Sequence, residues 1–224
     1  MSDIITGKGI KRGFPVAGQE TFWALKGIDL EIPRGKLTIL RGKSGSGKTT
    51  LMNILSTLDL PTEGSVEVDG QEITALKERQ REKLRRDQIG FIFQSVALVP
   101  MMTACENVEF ALRLSGYKGD RRERAQEALK MLGLGNRLDH LPQELSGGEQ
   151  QRVAIARAIA HKPKVIFADE PTAELDTNTG LQVIKIFKSL LEIEGVTIVM
   201  TTHDTEIMKL GDKVYQLEDG ELVG

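Results

Sequence analysis

Residues 36–58 place a strand-like run, a glycine-rich turn and a helix-like run in direct succession. The run Lys36–Arg41 is rich in aliphatic and β-branched residues, which favours a short strand. The turn follows as Gly42-Lys43-Ser44-Gly45-Ser46-Gly47-Lys48-Thr49. Residues 50–58 then carry apolar side chains at helical spacing, namely Leu51, Ile54, Leu55 and Leu58. The sequence therefore predicts a strand–loop–helix unit with its helix over Thr50–Leu58.

The glycine-rich turn matches the pattern of a phosphate-binding loop at every defined position. Its glycines allow several backbone N–H groups to surround a phosphate. Lys48 is placed to reach the terminal phosphates, and the Thr49 hydroxyl can coordinate Mg²⁺. The turn therefore predicts binding of a nucleoside triphosphate, although it does not say which reaction follows.

Strand-like and helix-like runs alternate along most of the chain. Strands are expected at Phe22–Ile32, Ile89–Phe93, Lys164–Asp169, Val196–Thr201 and Lys213–Leu217, and tight turns at Asp69-Gly70 and Asp219-Gly220. Helices are expected at Glu106–Ser115, Arg121–Leu132 and Glu149–Ala160, and around Leu181, Ile184, Phe187, Leu190 and Leu191. The alternation predicts an α/β fold with a mainly parallel, helix-covered sheet, interrupted by a helical insertion between about 101 and 160.

The charge-dense run Lys77–Arg86 interleaves acids and bases and is expected to form a further helix. A partner-docking surface and a plain solvated face both fit this composition. We favour the solvated face.

Polar residues follow three of the predicted strands. Gln94 comes after Ile89–Phe93, Asp169 and Glu170 end the next strand, and His203 follows Val196–Thr201. Because the carboxyl ends of parallel strands meet at one sheet edge, Asp169 can hold a metal through water and Glu170 can polarise an attacking water. His203 is placed to contact a γ-phosphate. Gln94, judged alone, fits a turn residue as well as a metal ligand.

The segment Leu145-Ser146-Gly147-Gly148-Glu149-Gln150 forms a second candidate anion site. Ser146 is a good N-cap, and the alanine-rich run behind it favours a helix. A helix N-terminus offers unpaired N–H groups and the positive end of the helix dipole. The chain therefore has two candidate phosphate-binding segments. Gly42–Thr49 accounts for a bound nucleotide, which leaves Leu145–Gln150 without a phosphate of its own.

Composition excludes several classes of protein. The chain has 30 Lys and Arg against 32 Asp and Glu in 224 residues, so no basic patch of a nucleic-acid binder is apparent. The single cysteine, Cys105, excludes an intrachain disulfide and thiol-rich metal motifs, and fits a small apolar filler in a reducing compartment. No apolar run has the length of a signal peptide or a membrane span, so a membrane role is expected to come through a partner.

The chain resembles the nucleotide-binding ATPase of ABC transporters in the identity and order of its motifs. These are, in order, GKSGSGKT, the glutamine at Gln94, LSGGEQ, VIFADE, Ala173-Glu174-Leu175-Asp176 and His203. The segment Leu51–Asp59 is most similar to the lipoprotein-releasing and macrolide-export group. The resemblance implies a P-loop NTPase (RecA-like) fold with a mainly parallel sheet core, an antiparallel β subdomain and an inserted α-helical subdomain. It implies one ATPase domain over residues 1–224, with the nucleotide-binding core in 1–94 and 161–224 and the helical signature subdomain in 95–160.

The resemblance also assigns roles to individual residues. Phosphate binding falls to Gly42, Lys43, Ser44, Gly45, Ser46, Gly47, Lys48, Thr49 and Thr50. Contact with a partner's nucleotide falls to Ser146, Gly147, Gly148, Glu149 and the D-loop acid Asp176. Glu170 becomes the general base and His203 the switch histidine, with Lys48 and Gln94 completing the catalytic set. Mg²⁺ would be held by Thr49, Gln94 and Asp169.

The family stacks an aromatic ring, usually tyrosine, on the adenine shortly before the first core strand. Phe14 is the candidate in this chain, and its ring can stack equally well. Phe22 and Trp23 are rivals that we expect to lie in the core.

The resemblance implies an ATPase that binds ATP and Mg²⁺, forms a homodimer around ATP and drives an integral membrane permease from the cytoplasmic face of the membrane. Export or lipoprotein release is the expected activity. A non-transport ABC ATPase of a cell-envelope signalling or division complex would carry the same catalytic residues and stays open. A small-molecule P-loop kinase would leave LSGGEQ, Glu170 and His203 without a role. Neither the long coiled coils of DNA-maintenance relatives nor the paired units of translation factors fit this chain.

Overall fold

The structure is a computed structural model that describes residues 3–18 and 20–223. The chain divides into two compact units, the first made of Met1–Arg85 with Thr197–Gly224 and the second of Arg86–Val196. The second unit is one continuous segment, whereas the first is assembled from two. The subdomain limits expected from the sequence, after residues 94 and 160, stay a prediction.

An antiparallel sheet with the strand order β2-β1-β4-β5 forms one part of the first unit. Its strands are β1 (Asp3–Phe14), β2 (Phe22–Pro33), β4 (Glu63–Val68) and β5 (Gln71–Glu72). The expected turn between β4 and β5 is confirmed, because Asp69 and Gly70 have φ angles of 49° and 78° there. β1 was not expected, and it pairs with β2 on one side and β4 on the other.

Parallel strands form the other part of the first unit. β3 (Leu37–Arg41) lies between β8 (Thr197–Thr201) and β9 (Lys213–Glu218), parallel to both, and β10 (Glu221–Leu222) runs antiparallel to β9. The first four residues of β3 are fully buried, as expected of an apolar central strand. Because Leu40 pairs with Thr201, the residues that follow β3 and β8 lie at one sheet edge.

Two helices complete this unit, α1 (Lys48–Leu55) and the short α7 (Thr205–Met208), and α2 (Glu78–Gln88) begins in it and ends in the first residues of the second unit. The expectation that the first helix runs to Leu58 is wrong. The chain leaves the helix after Ser56, since Thr57 adopts a φ of 66°, and Leu58 is 46% exposed. In α2 only Leu84 is buried, which agrees with the expected solvated face.

The second unit contains a parallel strand pair and four helices. β6 (Ile89–Ile92) pairs with β7 (Val165–Ala168), and the helices are α3 (Ala104–Leu114), α4 (Arg121–Met131), α5 (Gly147–Ile159) and α6 (Thr177–Glu194). Helices α3, α4 and α5 pack against one another, with a 3₁₀ turn at Pro142–Glu144 before α5. The expected lack of strands between 101 and 160 is confirmed.

Candidate nucleotide site

Two glycines of the Gly42–Thr49 loop stand where a side chain does not fit. A Cβ on Gly42 would lie 2.2 Å from the Leu217 carbonyl oxygen. A Cβ on Gly47 would lie 2.8 Å from the Ala24 carbonyl oxygen, and Gly47 has a φ of 103°. These residues also sit in backbone conformations that L-residues rarely adopt. The loop is therefore shaped by close backbone packing against β9 and β2.

Polar groups of the loop converge around Lys48. Its ammonium group donates to the Gly42 and Lys43 carbonyl oxygens at 2.7 and 2.9 Å. The Ser46 hydroxyl is buried and has no hydrogen-bond partner among residues 3–18 and 20–223. A buried polar group without a partner is costly unless a ligand supplies one. The orphaned hydroxyl, the lysine and the glycine backbone together fit a phosphate.

His203 lies in the same unit as the loop, two residues beyond the end of β8. It is exposed, and it precedes Asp204, which caps α7 by accepting from the Glu206 amide at 2.8 Å. Because β3 and β8 are parallel neighbours, the structure brings His203 to the sheet edge where the phosphate loop begins. Thr49, in the first turn of α1, is exposed as well.

In the second unit, three predicted site residues follow the carboxyl ends of the paired strands β6 and β7: Gln94 follows β6, and Asp169 and Glu170 follow β7. The Asp169 amide donates to the Ile92 carbonyl at 2.9 Å, which ties the end of β7 to the end of β6. Glu170 has a φ of 44°, a conformation that costs free energy in a residue other than glycine. The Ala173 amide donates to the Glu170 carbonyl at 3.1 Å and so closes a turn behind it. The structure thus places three predicted site residues together.

The start of α5 is held by a capping box between Ser146 and Glu149. The Ser146 hydroxyl accepts from the Glu149 amide at 3.3 Å, and Glu149 Oε2 accepts from the Ser146 amide at 2.9 Å. The Ser146 hydroxyl also donates to Glu149 Oε2 at 3.0 Å. Both Ser146 and Gly147 are exposed. The expected N-cap at Ser146 is confirmed, and the helix begins at Gly147, two residues before the expected Glu149.

Arg137 supports this cap and was missed in the sequence. Its Nε donates to Glu149 Oε1 at 2.8 Å. This bond, followed by those from Ser146, lowers the pKa of Glu149 to about 2. Arg137 stands in an irregular segment 12 residues before Glu149, where no periodic pattern links the two.

Asp176 caps α6 and connects it to the start of α5. Its Oδ1 accepts from the Asn178 and Thr179 amides, both at 3.1 Å, and the Thr179 hydroxyl donates to Oδ2 at 2.5 Å. The bonds from Thr179 are the main reason that the pKa of Asp176 is lowered. Gly148 packs so closely against Thr179 that a Cβ on the glycine would lie 2.5 Å from the methyl carbon.

The aromatic candidates lie at the end of the β1–β2 pair, where Phe14 stands opposite Phe22. Phe14 is 38% exposed, and the Arg12 guanidinium covers one of its faces at 4.8 Å from the ring centroid. Arg12 is itself ion-paired with Asp59 at 2.9 Å. The expectation that Phe22 lies in the core is wrong, because 59% of it is exposed at this strand end, while Trp23 is half-buried.

Among residues 3–18 and 20–223, no three His, Cys, Asp or Glu side chains cluster as a ready-made metal site. Thr49, Gln94 and Asp169 still supply hydroxyl, amide and carboxylate oxygens, the donor types that Mg²⁺ accepts. Mg²⁺ also keeps several waters and binds through substrate phosphates, so a dense protein cage is not required.

Comparison with known proteins decides the family. A family model described as "ABC transporter" matches residues 25–173, which include the phosphate loop, LSGGEQ, Asp169 and Glu170. This chain belongs to the ABC transporter family. It is an ABC-type ATPase with a P-loop NTPase fold, and it binds and hydrolyses ATP.

Relatives of this ABC ATPase align over most of its length. An uncharacterized ABC transporter ATP-binding protein of Methanocaldococcus jannaschii is 49% identical over 207 residues, covering 92% of both chains. A macrolide export ATP-binding/permease protein, MacB, of Syntrophobacter fumaroxidans is 44% identical over 97% of this chain but only 31% of its own length. A solved dimeric structure of an ATP-binding cassette in a post-hydrolysis state, bound to ADP and Pi, has a TM-score of 0.89 at 42% identity, covering 98% of this chain and 97% of that one.

No helix in the described parts of this ABC ATPase is both long and apolar enough to cross a bilayer.

Proposed function

We propose that this ABC ATPase works as a homodimer in which ATP held by the Gly42–Thr49 loop of one copy is also contacted by Ser146–Gly148 of the other. The observation that carries the proposal is the exposed, capped start of α5. The first amides of a helix have no intrahelical acceptor, and Ser146 supplies one to Glu149. The Gly147 and Gly148 amides are therefore the donors that a phosphate would use. The dimeric form of the solved relative supports this arrangement.

The phosphate loop would hold the nucleotide within each copy. When phosphate is bound, the Lys48 ammonium group would donate to phosphate oxygens in place of the loop carbonyls. The buried Ser46 hydroxyl would gain a partner, since it has none among the described residues. Phe14 would stack on the adenine with the face that the Arg12 guanidinium does not cover.

Hydrolysis would depend on positioning and on charge stabilisation. Glu170 would orient and polarise the attacking water, and His203 and Lys48 would stabilise negative charge on the γ-phosphate. Asp176 would take part as the D-loop acid. Mg²⁺, when bound by Thr49, Gln94 and Asp169, neutralises negative charge on the phosphates.

We further propose that ATP-driven closure and opening of the dimer drive a permease. The macrolide export relative, which by its name joins ATP-binding and permease parts in one chain, supports an export-type or lipoprotein-releasing system. The chain would then be cytoplasmic and attached to the membrane through its permease. Gln94 would sense the bound nucleotide and pass the change to that partner. Co-purification with a signalling or division complex instead would favour the non-transport alternative.

Mixing two inactive variants tests the shared site. Lys48→Ala should abolish nucleotide binding by the phosphate loop but leave the start of α5 intact. Ser146→Arg should leave nucleotide binding intact but block the start of α5. Each variant alone has no complete site in the proposed dimer. Because neither variant pairs with itself on ATP, an equal mixture forms mixed dimers with one complete site of two, so ATP hydrolysis should rise towards about half of the wild-type rate.

The recovery should rise with total protein concentration, because it depends on assembly between copies. Ser146→Arg alone should still bind ATP with wild-type affinity and should not dimerise on it in size-exclusion chromatography with Mg-ATP. A mixture as inactive as its two components, at concentrations where wild type dimerises, would contradict the shared site. Full activity of Ser146→Arg alone would contradict it as well.

A further inference from the structure

The Arg137–Glu149 ion pair joins the irregular segment after α4 to the first turn of α5. Glu149 uses both carboxylate oxygens. Oε1 accepts from Arg137 at 2.8 Å, and Oε2 accepts from the Ser146 amide and hydroxyl at 2.9 and 3.0 Å. The position of the Ser146 side chain therefore depends on a carboxylate that Arg137 holds from the other side.

Glu149 also places a negative charge in a segment proposed to receive a phosphate. Like charges that approach each other at an interface repel and weaken the association when nothing compensates them. The hydrogen bonds from Ser146 do not neutralise the charge of the Glu149 carboxylate, because the serine side chain is uncharged. The guanidinium of Arg137 is the positive group that faces the Glu149 carboxylate, and its hydrogen bond is the largest contribution to the low pKa of that group.

We infer that Arg137 is a positioning residue for ATP held by a second copy of the chain. It fixes the Glu149 carboxylate in the capping box and compensates its charge, so that the start of α5 accepts the partner's phosphate. The inference rests on the proposed ATP-bound homodimer. Arg137 lies outside Leu145–Gln150, so the inference adds a residue beyond that segment to those on which the proposed shared site depends.

A purely structural role for Arg137 would have different consequences. If the arginine only anchored its own segment, its loss would be equally harmful whether residue 149 carried a charge or not. If it compensates Glu149, its loss should matter only while the carboxylate is present. The two possibilities are therefore separated by combining substitutions at both positions.

The experiment measures ATP-dependent dimerisation in a Glu170→Gln background, with the ATP affinity of each variant measured separately. Arg137→Gln should weaken dimerisation at least fivefold, because the charge of the Glu149 carboxylate is then uncompensated. Arg137→Lys should retain most of it because the positive charge remains. In a Glu149→Gln background, Arg137→Gln should cause less than a twofold further change. ATP affinity should stay constant throughout, since the phosphate loop belongs to the other unit.

Lys118→Gln is the matched control, because Lys118 is an exposed cation of the same unit between α3 and α4. It should leave dimerisation unchanged. An equal loss from Arg137→Gln in both backgrounds, or no loss in either, would overturn the inference.

Failure of the proposed function gives a different result: the Glu170→Gln parent binds ATP but forms no dimer. Hydrogen exchange of the Glu149 amide then still tests the positioning within one chain. Arg137→Gln should speed this exchange several-fold relative to Lys118→Gln. Unchanged exchange would overturn the inference independently of the dimer.

Discussion

Gly148 lies against Thr179, and a Cβ on Gly148 would come within 2.5 Å of the Thr179 Cγ2 atom. Thr179 is not free to turn away, because its hydroxyl donates to Asp176 Oδ2 at 2.5 Å. The start of α5 is thereby packed against the start of α6. Two segments with proposed roles at the shared site are in contact within one copy.

Gly148→Ala should therefore disturb the start of α5. Overpacking of this kind costs about 1–3 kcal/mol in the free energy of unfolding, and it should lower ATP hydrolysis as well. Adding Thr179→Ser removes the Cγ2 atom and keeps the hydroxyl that bonds Asp176, so the double variant should regain most of the lost stability. Urea denaturation and steady-state hydrolysis measure both effects. No recovery in the double variant would show that the contact with Thr179 is not the cause.

Glu170→Gln should bind Mg-ATP, lose at least about a hundredfold in turnover and accumulate as an ATP-bound dimer. The amide keeps the size of the side chain and removes the base. Size-exclusion chromatography with Mg-ATP and a phosphate-release assay measure the two effects. Glu192→Gln, which changes an exposed acid in α6 with no assigned role, serves as the control and should turn over normally. Normal hydrolysis by Glu170→Gln would remove this residue from the role of base.

Glu149 should titrate with a pKa of about 2 in the folded protein, against an ordinary value of 4.5. A group whose pKa is lowered on folding stabilises the native state above its unfolded pKa, and this contribution is lost as the pH falls from 4.5 through about 2. Wild type should therefore lose more stability between pH 6 and pH 3 than Glu149→Gln does. Carboxyl carbon NMR should show the pKa rising in Arg137→Gln. An unchanged pKa in that variant would disprove the assignment to Arg137.

The Cys105 thiol should be unreactive in the folded protein. Burial, followed by the hydrogen bond to Glu109 Oε1 at 3.4 Å, raises the pKa of Cys105 to about 12. The thiolate is the reactive form, so alkylation by iodoacetamide at pH 8 should be at least a hundredfold slower than in guanidinium chloride. Mass spectrometry after timed quenching measures both rates. Equal rates would mean that the thiol is accessible in the native state.

Much of the strand and helix order could be predicted because the apolar runs are short and separated by clear turn residues. β1 was the exception. Its sequence includes Gly7, Gly9 and two lysines, Lys8 and Lys11, which hide the alternation expected of a strand. It forms a strand because it has a neighbour on each side, with Ile5 opposite both Ile32 and Val68. Tertiary pairing, rather than local pattern, decides its conformation.

The candidate site could be predicted where a residue follows a strand or starts a helix. Asp169 and Ser146 belong to this class, because sheet edges and helix caps have local signals. Arg137 does not, since the structure brings it to Glu149 through an irregular segment. Phe22 was placed wrongly for a related reason: an aromatic residue at a strand end can face solvent, and burial there depends on neighbours far away in sequence.

The position of β3 in the chain has a consequence for synthesis on the ribosome. Both neighbours of Leu37–Arg41 are encoded late, since β8 starts at Thr197 and β9 at Lys213. The continuous segment Arg86–Val196 leaves the ribosome in between and can form its own contacts first. The phosphate loop packs on the Leu217 carbonyl, so it cannot reach its final shape before that residue has emerged. Nascent chains should therefore acquire nucleotide binding only after residue 217 has been made, with the apolar β3 dependent on chaperones until then.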